Sequence, residues 1–503
     1  HAGVDGDTSR AVGQPAIASN TSNGQSLVVW MADDATDDDT EIWGRLLDAQ
    51  GSPVGGEFQL SDMGPPNDPT YIAESPAVAY NSQLNEYLVA WAGDDDTPPL
   101  VDDEAEIYVQ RVAANGDEIG VDTRISSMGP DGNAAYDASD TDVAYNAIAN
   151  EYLVTWYGDD DTGGHVDNEF EIYAQRLSGT AGELGGDTRI SDAGPVGNAN
   201  YSATSPAVAY DSQLNQYLVA WTADDDTSGA PVLGNAFEIY VRRVSAAGTP
   251  IDTDDVRISS MGADDASTSF WASFPDVAYD TKTGEYLVAW EGDDDTAPLV
   301  DNELEIYVQR LSATASQIGS DTRISHMGPD GNGAYAAFSP AIAYNPIGDE
   351  YLVAWYGDDG TAPLVDNENE VYAQRLGPTA APIGSNTRIS DVGPDGSTAF
   401  SAGAPAVAHD RTTNEFLVVF SANDGTHGFE LWKSNGASSG EPNVDASIPT
   451  SPTASALIES TMEGSIGDRA AARISYATVQ AGRRGPFTSR NHGDDSGRRR
   501  RPG

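Results

Sequence analysis

The sequence predicts an all-β fold assembled from seven copies of one four-stranded antiparallel unit. A Tyr-Leu-Val-Ala-Trp segment recurs along the chain at nearly constant spacing. Each recurrence is flanked by three further β-rich segments in fixed order. No stretch of comparable length carries a helical period.

The recurrent segment ends at Trp91, Trp221, Trp290 and Trp355, and a Thr variant ends at Trp156. Degenerate copies end at Trp30 and Phe420, so the spacings are 61, 65, 65, 69, 65 and 65 residues. The first strand of each unit is Pro-Ala-Val-Ala-Tyr, as at Pro76 to Tyr80 and Pro206 to Tyr210. The second is the Tyr-Leu-Val-Ala-Trp segment itself. Its successive apolar positions, Tyr87 to Trp91, predict burial on both faces. The third is Glu-Ile-Tyr-Val-Gln-Arg, as at Glu106 to Arg111 and Glu305 to Arg310. The fourth is Asp-Thr-Arg-Ile-Ser, as at Asp122 to Ser126 and Asp321 to Ser325. β-branched and aromatic residues fill these runs, and Gly, Asn, Asp and Pro fill the gaps.

Seven antiparallel units of about 65 residues, each covered on both faces, describe a seven-bladed β-propeller over residues 1–440. A linear array would need polar capping repeats, which the ends do not supply. Residues 4–10 resemble a fourth strand and are expected to close the last blade, with Asn443 to Ile448 as the competing candidate. Residues 441–503 form a low-complexity tail ending in Arg498 to Arg501, expected to be disordered.

Repeat number and architecture make the chain resemble secreted bacterial-type seven-bladed repeat β-propellers. The segment from Glu430 to Gly436, Glu-Leu-Trp-Lys-Ser-Asn-Gly, is similar to Glu-Leu-Trp-x-x-Asp-Gly-Thr repeats of large secreted bacterial proteins. The resemblance implies an extracellular or cell-surface location. A chain beginning at His1 fits a processed or trimmed form.

The 503 residues hold 80 acids against 25 Lys and Arg, a formal net charge of −55, and no cysteine. Disulfides, thiolate metal sites and cysteine nucleophiles are excluded. A field of this sign argues against nucleic acid and anionic membranes as partners. No apolar run approaches a membrane span.

The charge is placed, not spread. About 36 of the 80 acids fall in the seven loops between second and third strands, which hold 84 residues. The recurrent loop is Asp-Asp-Asp-Thr, a spacer, then Val-Asp-Asn-Glu-x-Glu. Its members are Asp37, Asp38 and Asp39; Asp94, Asp95, Asp96, Asp102, Asp103 and Glu104; and Asp159, Asp160, Asp161, Asp167, Asn168 and Glu169. They continue with Asp293, Asp294, Asp295, Asp301, Asn302 and Glu303, and with Asp358, Asp359, Asp366, Asn367 and Glu368. Converging carboxylates repel one another unless a cation joins them. Several Ca²⁺ ions per chain are the expected cofactor, because Ca²⁺ takes six to eight oxygen ligands in flexible geometry. Asp131, Asp330 and Asp395, in the loops into the next blade, are candidates to complete these sites. Tyr136, Tyr201, Tyr335 and Phe400 follow those loops, as lids over blade edges or as sugar-stacking platforms.

No catalytic constellation stands out. The histidines form no zinc-hydrolase pair, and no nucleophile elbow or phosphate loop occurs. The expected function is therefore a non-enzymatic, calcium-stabilised structural or adhesive module. Its expected partners are calcium, a sister subunit, a cell-surface or matrix partner, or a glycan. A carbohydrate-binding propeller and a polysaccharide hydrolase or lyase are the alternatives. An active site would break the repeat, and the deviant connection from Asp264 to Phe274, with Phe270 and Trp271, is the first place to look.

Overall fold

A computed structural model of the chain describes residues 12–448 apart from 34–39, 65–69, 96–97, 102, 161–163, 225–236, 263–269, 295, 361–362, 366, 392–393, 399, 423–430 and 435–443. Among the described residues there is no α-helix. No helix is long and apolar enough to cross a membrane.

Blade 5 shows the plan. Its strands are Trp271–Asp280, Glu285–Asp293, Leu304–Leu311 and Gln317–Arg323, paired antiparallel in that order. Blades 3, 4 and 6 are separate four-stranded sheets of the same order. Blades 1 and 2 share one sheet through a single parallel bridge, Thr40 to Ile72. In blades 3 and 4 the fourth strand shrinks to Thr188–Arg189 and Val256–Arg257. In blade 7, Leu431–Ser434 pairs with Val444–Ile448, which occupies the fourth-strand place. Residues 4–10, the other candidate for that place, lie outside the described residues.

The inner strands are Val12–Ser19, Ile72–Asn81, Ala138–Asn146, Ala203–Asp211, Trp271–Asp280, Ala336–Asn345 and Ala402–Asp410. Each packs on the next, and the last packs on the first. The seam is apolar: Val28, Trp30 and Leu47 of blade 1 meet Leu417 and Val419 of blade 7. The propeller is therefore a closed ring of seven blades.

Burial follows the sequence pattern. Tyr87 to Trp91 are fully buried, as are Trp156, Trp221, Trp290 and Trp355. Trp91, Trp156, Trp290 and Trp355 stack near third-strand tyrosines, with Trp290 and Tyr307 centroids 6.3 Å apart. At about 25 cal/mol per Å² and about 200 Å² per ring, each Trp contributes about 5 kcal/mol of transfer free energy. Side chains of one sheet interleave with those of the next, so the core is a set of inter-blade layers.

Candidate functional site

The acidic loops turn much of their charge inward. Asp94, Asp159, Asp293 and Asp358 are buried at the end of each second strand. Each Oδ2 accepts the backbone N–H of Asp103, Asn168, Asn302 or Asn367; the Asn302 bond is 2.8 Å. Those four donor residues have φ of 65°, a left-handed conformation that Asn and Asp tolerate best. Glu104, Glu169, Glu303 and Glu368 are also buried. Each takes N–H groups from its own loop, such as Val101 and Val300, both at 3.1 Å. Each also takes one from a glycine of the next connection: Gly132, Gly197, Gly331 or Gly396, all at 2.9 Å. The loop is thus closed by carboxylate-to-amide bonds. Asp95, Asp160, Asp294 and Asp359 keep partial exposure, and Asp103, Asp167, Asn168, Asp301, Asn302 and Asn367 are exposed. Asp37, Asp38, Asp39, Asp96, Asp102, Asp161, Asp295 and Asp366 lie outside the described residues.

A second acid network is structural. Glu106, Glu171 and Glu305 open the third strands, about 1 % exposed or less. Each accepts the hydroxyl of Ser126, Ser191 or Ser325 and a backbone N–H, that of Met327 at 3.1 Å for Glu305. Burial pushes all three carboxyls up to about 7. Asp131, Asp330 and Asp395 do not turn to a neighbouring loop's carboxylates. They pair with Arg124, Arg323 and Arg388 at 2.9, 3.0 and 2.8 Å, so a guanidinium supplies the positive charge there. Glu305, His326 and Asp330, and likewise Glu370, Asp391 and Asp395, bring ligand atoms close enough to hold a metal ion.

The loop aromatics cap glycines. A Cβ on Gly129, Gly194 or Gly328 would lie 2.3, 2.2 or 2.1 Å from Tyr136, Tyr201 or Tyr335. These glycines have φ between 64° and 67°. Phe400 packs against the core between blades 6 and 7. All four aromatics are half-buried.

The axis is where the repeat breaks. Every blade has a register shift at one level of its inner strand. The residues there are Gln14, Ser75, Asp140, Ser205, Phe274, Ser339 and Ala404, with φ from 39° to 52°. Such a bulge re-aims side chains. Side chains of the preceding blade cap three of the exposed amides. Gln14 accepts from Ser75 N at 2.8 Å, Thr222 from Phe274 N at 3.1 Å, and Glu291 from Ser339 N at 2.7 Å. Phe274 is the outlier, because a bulky side chain in this region is strained by about 1–3 kcal/mol.

Two residues below the bulge, five blades carry Ala16, Ala77, Ala207, Ala341 and Ala406. Blades 3 and 5 carry Asp142 and Asp276 instead. Asp142 accepts Val143 N and Val208 N, and Asp276 accepts Val277 N and Ile342 N, all at 2.7 Å. Each ties its blade to the next. Both sit midway along inner strands and keep only partial exposure. Burial raises Asp142 to about 6; burial and the Asp142 charge raise Asp276 to about 7. Burial alone raises Glu291, bonded to Ser273 at 3.2 Å, to about 7. Glu74 takes the Ser139 hydroxyl at 3.2 Å, and Asp140 takes that of Ser75 at 3.1 Å. No inner strand contains Lys or Arg. Buried acids with raised pKa values suit proton transfer where a substrate can reach them.

Sequence reasoning pointed at blade 5 through Phe270 and Trp271. Phe270 stacks on Gly262 like the other loop aromatics, and Trp271 begins the inner strand, opposite Asp293. It passed over Asp142, Asp276 and Glu291. The departure of Asp142 and Asp276 from alanine at their five other sister positions, and of Glu291 from its six, was the available signal.

No family model matches the chain, and no curated relative is found. Solved structures share the architecture. An ulvan lyase of polysaccharide lyase family PL25, bound to -[GlcA(1-4)Rha3S]-, is 9 % identical with a TM-score of 0.50, over 88 % of this chain and 97 % of that one. An α-L-arabinofuranosidase of Fusarium graminearum with arabinobiose is 13 % identical with a TM-score of 0.41, over 75 % and 92 %. An endo-arabinanase from Bacillus licheniformis is 17 % identical with a TM-score of 0.33, over 60 % and 96 %. The expectation of a non-enzymatic adhesive module is corrected: its architecture, read as non-catalytic, is one that the ulvan lyase shares. An active site was expected to break the repeat, and here five acids on or beside the inner strands do so: Glu74, Asp140, Asp142, Asp276 and Glu291.

Proposed function

We propose that the protein degrades a polysaccharide, as a glycoside hydrolase or polysaccharide lyase working on the propeller axis. The observation that carries this reading is the concentration of repeat-breaking acids there: Glu74, Asp140, Asp142, Asp276 and Glu291. Structural repetition needs none of them, since sister blades fold with Ala, Ser, Thr or an aromatic in their places. The similarity to the ulvan lyase supports the reading. Asp276 is raised to about 7 and Asp142 to about 6, so Asp276 can hold a proton where Asp142 is ionised. That is the division of labour glycosidic cleavage requires. A panel of neutral and acidic polysaccharides tests it, read by new reducing ends and by the ultraviolet absorbance of unsaturated products. Activity that falls at least about 100-fold in Asp276→Asn supports the assignment. Wild-type inertness on the panel removes it.

The partly exposed acids Asp95, Asp160, Asp294 and Asp359 suit Ca²⁺ as a loop-stabilising cofactor, and an extracellular setting supplies both the ion and the substrate. The acidic face then contributes stability, not chemistry. A melting temperature that falls in EGTA at low salt, and recovers with added Ca²⁺, supports this role. An unchanged melting temperature removes it.

A further inference from the structure

A cavity of about 310 Å³ opens on the face away from the acidic loops, between the inner strands of blades 5, 6 and 7. Val277, Tyr279, Ile342, Tyr344, His409 and Arg411 line it. Its inner end adjoins Asp276, whose carboxylate binds the Ile342 amide. Its rim holds two more departures from the repeat. Five blades place a tyrosine at the end of the inner strand: Tyr80, Tyr145, Tyr210, Tyr279 and Tyr344. Blade 7 has His409. Tyr80, Tyr145, Tyr210 and Tyr344 donate their hydroxyl to Asn or Asp five residues on, at 2.8–3.0 Å. The imidazole is shorter, and its Nε2 makes no hydrogen bond within reach although Asn414 stands beside it. The shorter ring leaves open the volume that a phenol would fill.

Arg411 stands where the sister hairpins carry Thr21, Ser82, Ala147, Ser212, Thr281 and Pro346. It is exposed and has no ion-pair partner among the described residues. The neighbouring acids are already engaged. Asp280 caps the turn at Lys282 and Thr283, Asp410 caps that at Thr412, and Asp349 takes the Tyr344 hydroxyl and lies 3.5 Å from Lys282. A chain of −55 therefore presents one uncommitted guanidinium at the mouth of an aromatic and aliphatic cavity. Aromatic walls with a single charged group are the makings of a sugar site.

We infer that this cavity binds one acidic sugar unit of the polysaccharide, its ring against Tyr344 and His409 and its anionic group on Arg411. The inference rests on the proposed action on polysaccharides and places substrate entry on the face opposite the acid loops. That face is where a polyanion meets the least like charge. Asp276 then lies one residue from the bound unit, at Val277.

The test measures binding of a uronate oligosaccharide, a sulfated oligosaccharide and a neutral one by calorimetry, with the full chain and two variants. Arg411→Ser and His409→Tyr install residues that sister blades already use, so the fold should hold, as near-ultraviolet circular dichroism verifies. Wild type should bind an acidic oligosaccharide at least about tenfold tighter than the neutral one. Arg411→Ser should remove that preference, and His409→Tyr should abolish binding. The uronate and sulfate arms decide which anion the site takes. Equal affinity of His409→Tyr and wild type, or no acidic preference in wild type, overturns the inference. Depolymerisation is scored separately. Cleavage with unaltered binding and KM in both variants sinks the subsite alone, while acidic-sugar binding without cleavage of any glycan sinks the proposed function alone.

Discussion

Raising the pH from 5 to 8 should destabilise this protein, and the buried third-strand glutamates supply a large share of the effect beside Asp276 and Glu291. Glu106, Glu171 and Glu305 rise from an ordinary 4.5 to about 7 because burial disfavours the charged form. Below about 4.5 the folded and unfolded chains both hold these protons, and pH acts on neither. Between about 4.5 and 7 the unfolded chain releases them while the folded chain keeps them, so stability falls as pH rises. Above about 7 the loss is complete. Each rise corresponds to about 3 kcal/mol, and three groups give an upper bound near 10 kcal/mol. Even a third of that is a large part of a typical folding free energy. Urea unfolding at pH 5, 6, 7 and 8, at constant ionic strength and in EGTA, reads it as a falling midpoint. General repulsion in a chain of −55 pulls the same way, so a control is needed. The triple variant Glu106→Gln, Glu171→Gln, Glu305→Gln keeps an acceptor for each serine but cannot ionise, and its midpoint should be markedly flatter. A triple variant with the wild-type slope would refute the assignment.

Three further outcomes follow from local geometry. Asn302→Ala should cost about 1 kcal/mol, because alanine lacks the short polar side chain that eases a φ of 65°, while Asn302→Gly should be nearly neutral; thermal melting of both variants compares them. Gly328→Ala should lower the melting temperature and expose Tyr335 to a fluorescence quencher, since the new methyl would lie 2.1 Å from that ring. Trp355→Ala should cost about 3–5 kcal/mol in chemical denaturation, because the indole is fully buried between blades 5 and 6.

The ring was legible because its cause is periodic. Tyr-Leu-Val-Ala-Trp declares a strand buried on both faces, and its seven copies at six near-equal spacings declare the blade count. The acid loops were legible as a pattern but not as chemistry. A cation and a backbone amide both favour a recurrent carboxylate, and the sequence cannot separate them. Glu303 turns to Gly331 and Val300, partners 28 and 3 residues away, and only the folded loop shows which donor it meets. The axis was nearly illegible for the opposite reason. Reading seven copies for what they share conceals Asp142 and Asp276, which differ from alanine at single positions. His409 is hidden in the same way, since only the neighbouring tyrosines give its short ring a meaning.

The most direct test of the account is the turnover of polysaccharide by the wild-type chain beside Asp142→Asn and Asp276→Asn. Each Asn keeps one of the two oxygens that accept backbone amides, so both variants should melt below wild type yet remain folded. The account predicts that wild type releases new chain ends from at least one polysaccharide, and that each substitution lowers the rate at least about 100-fold. Full activity in both folded variants would contradict a site on the propeller axis.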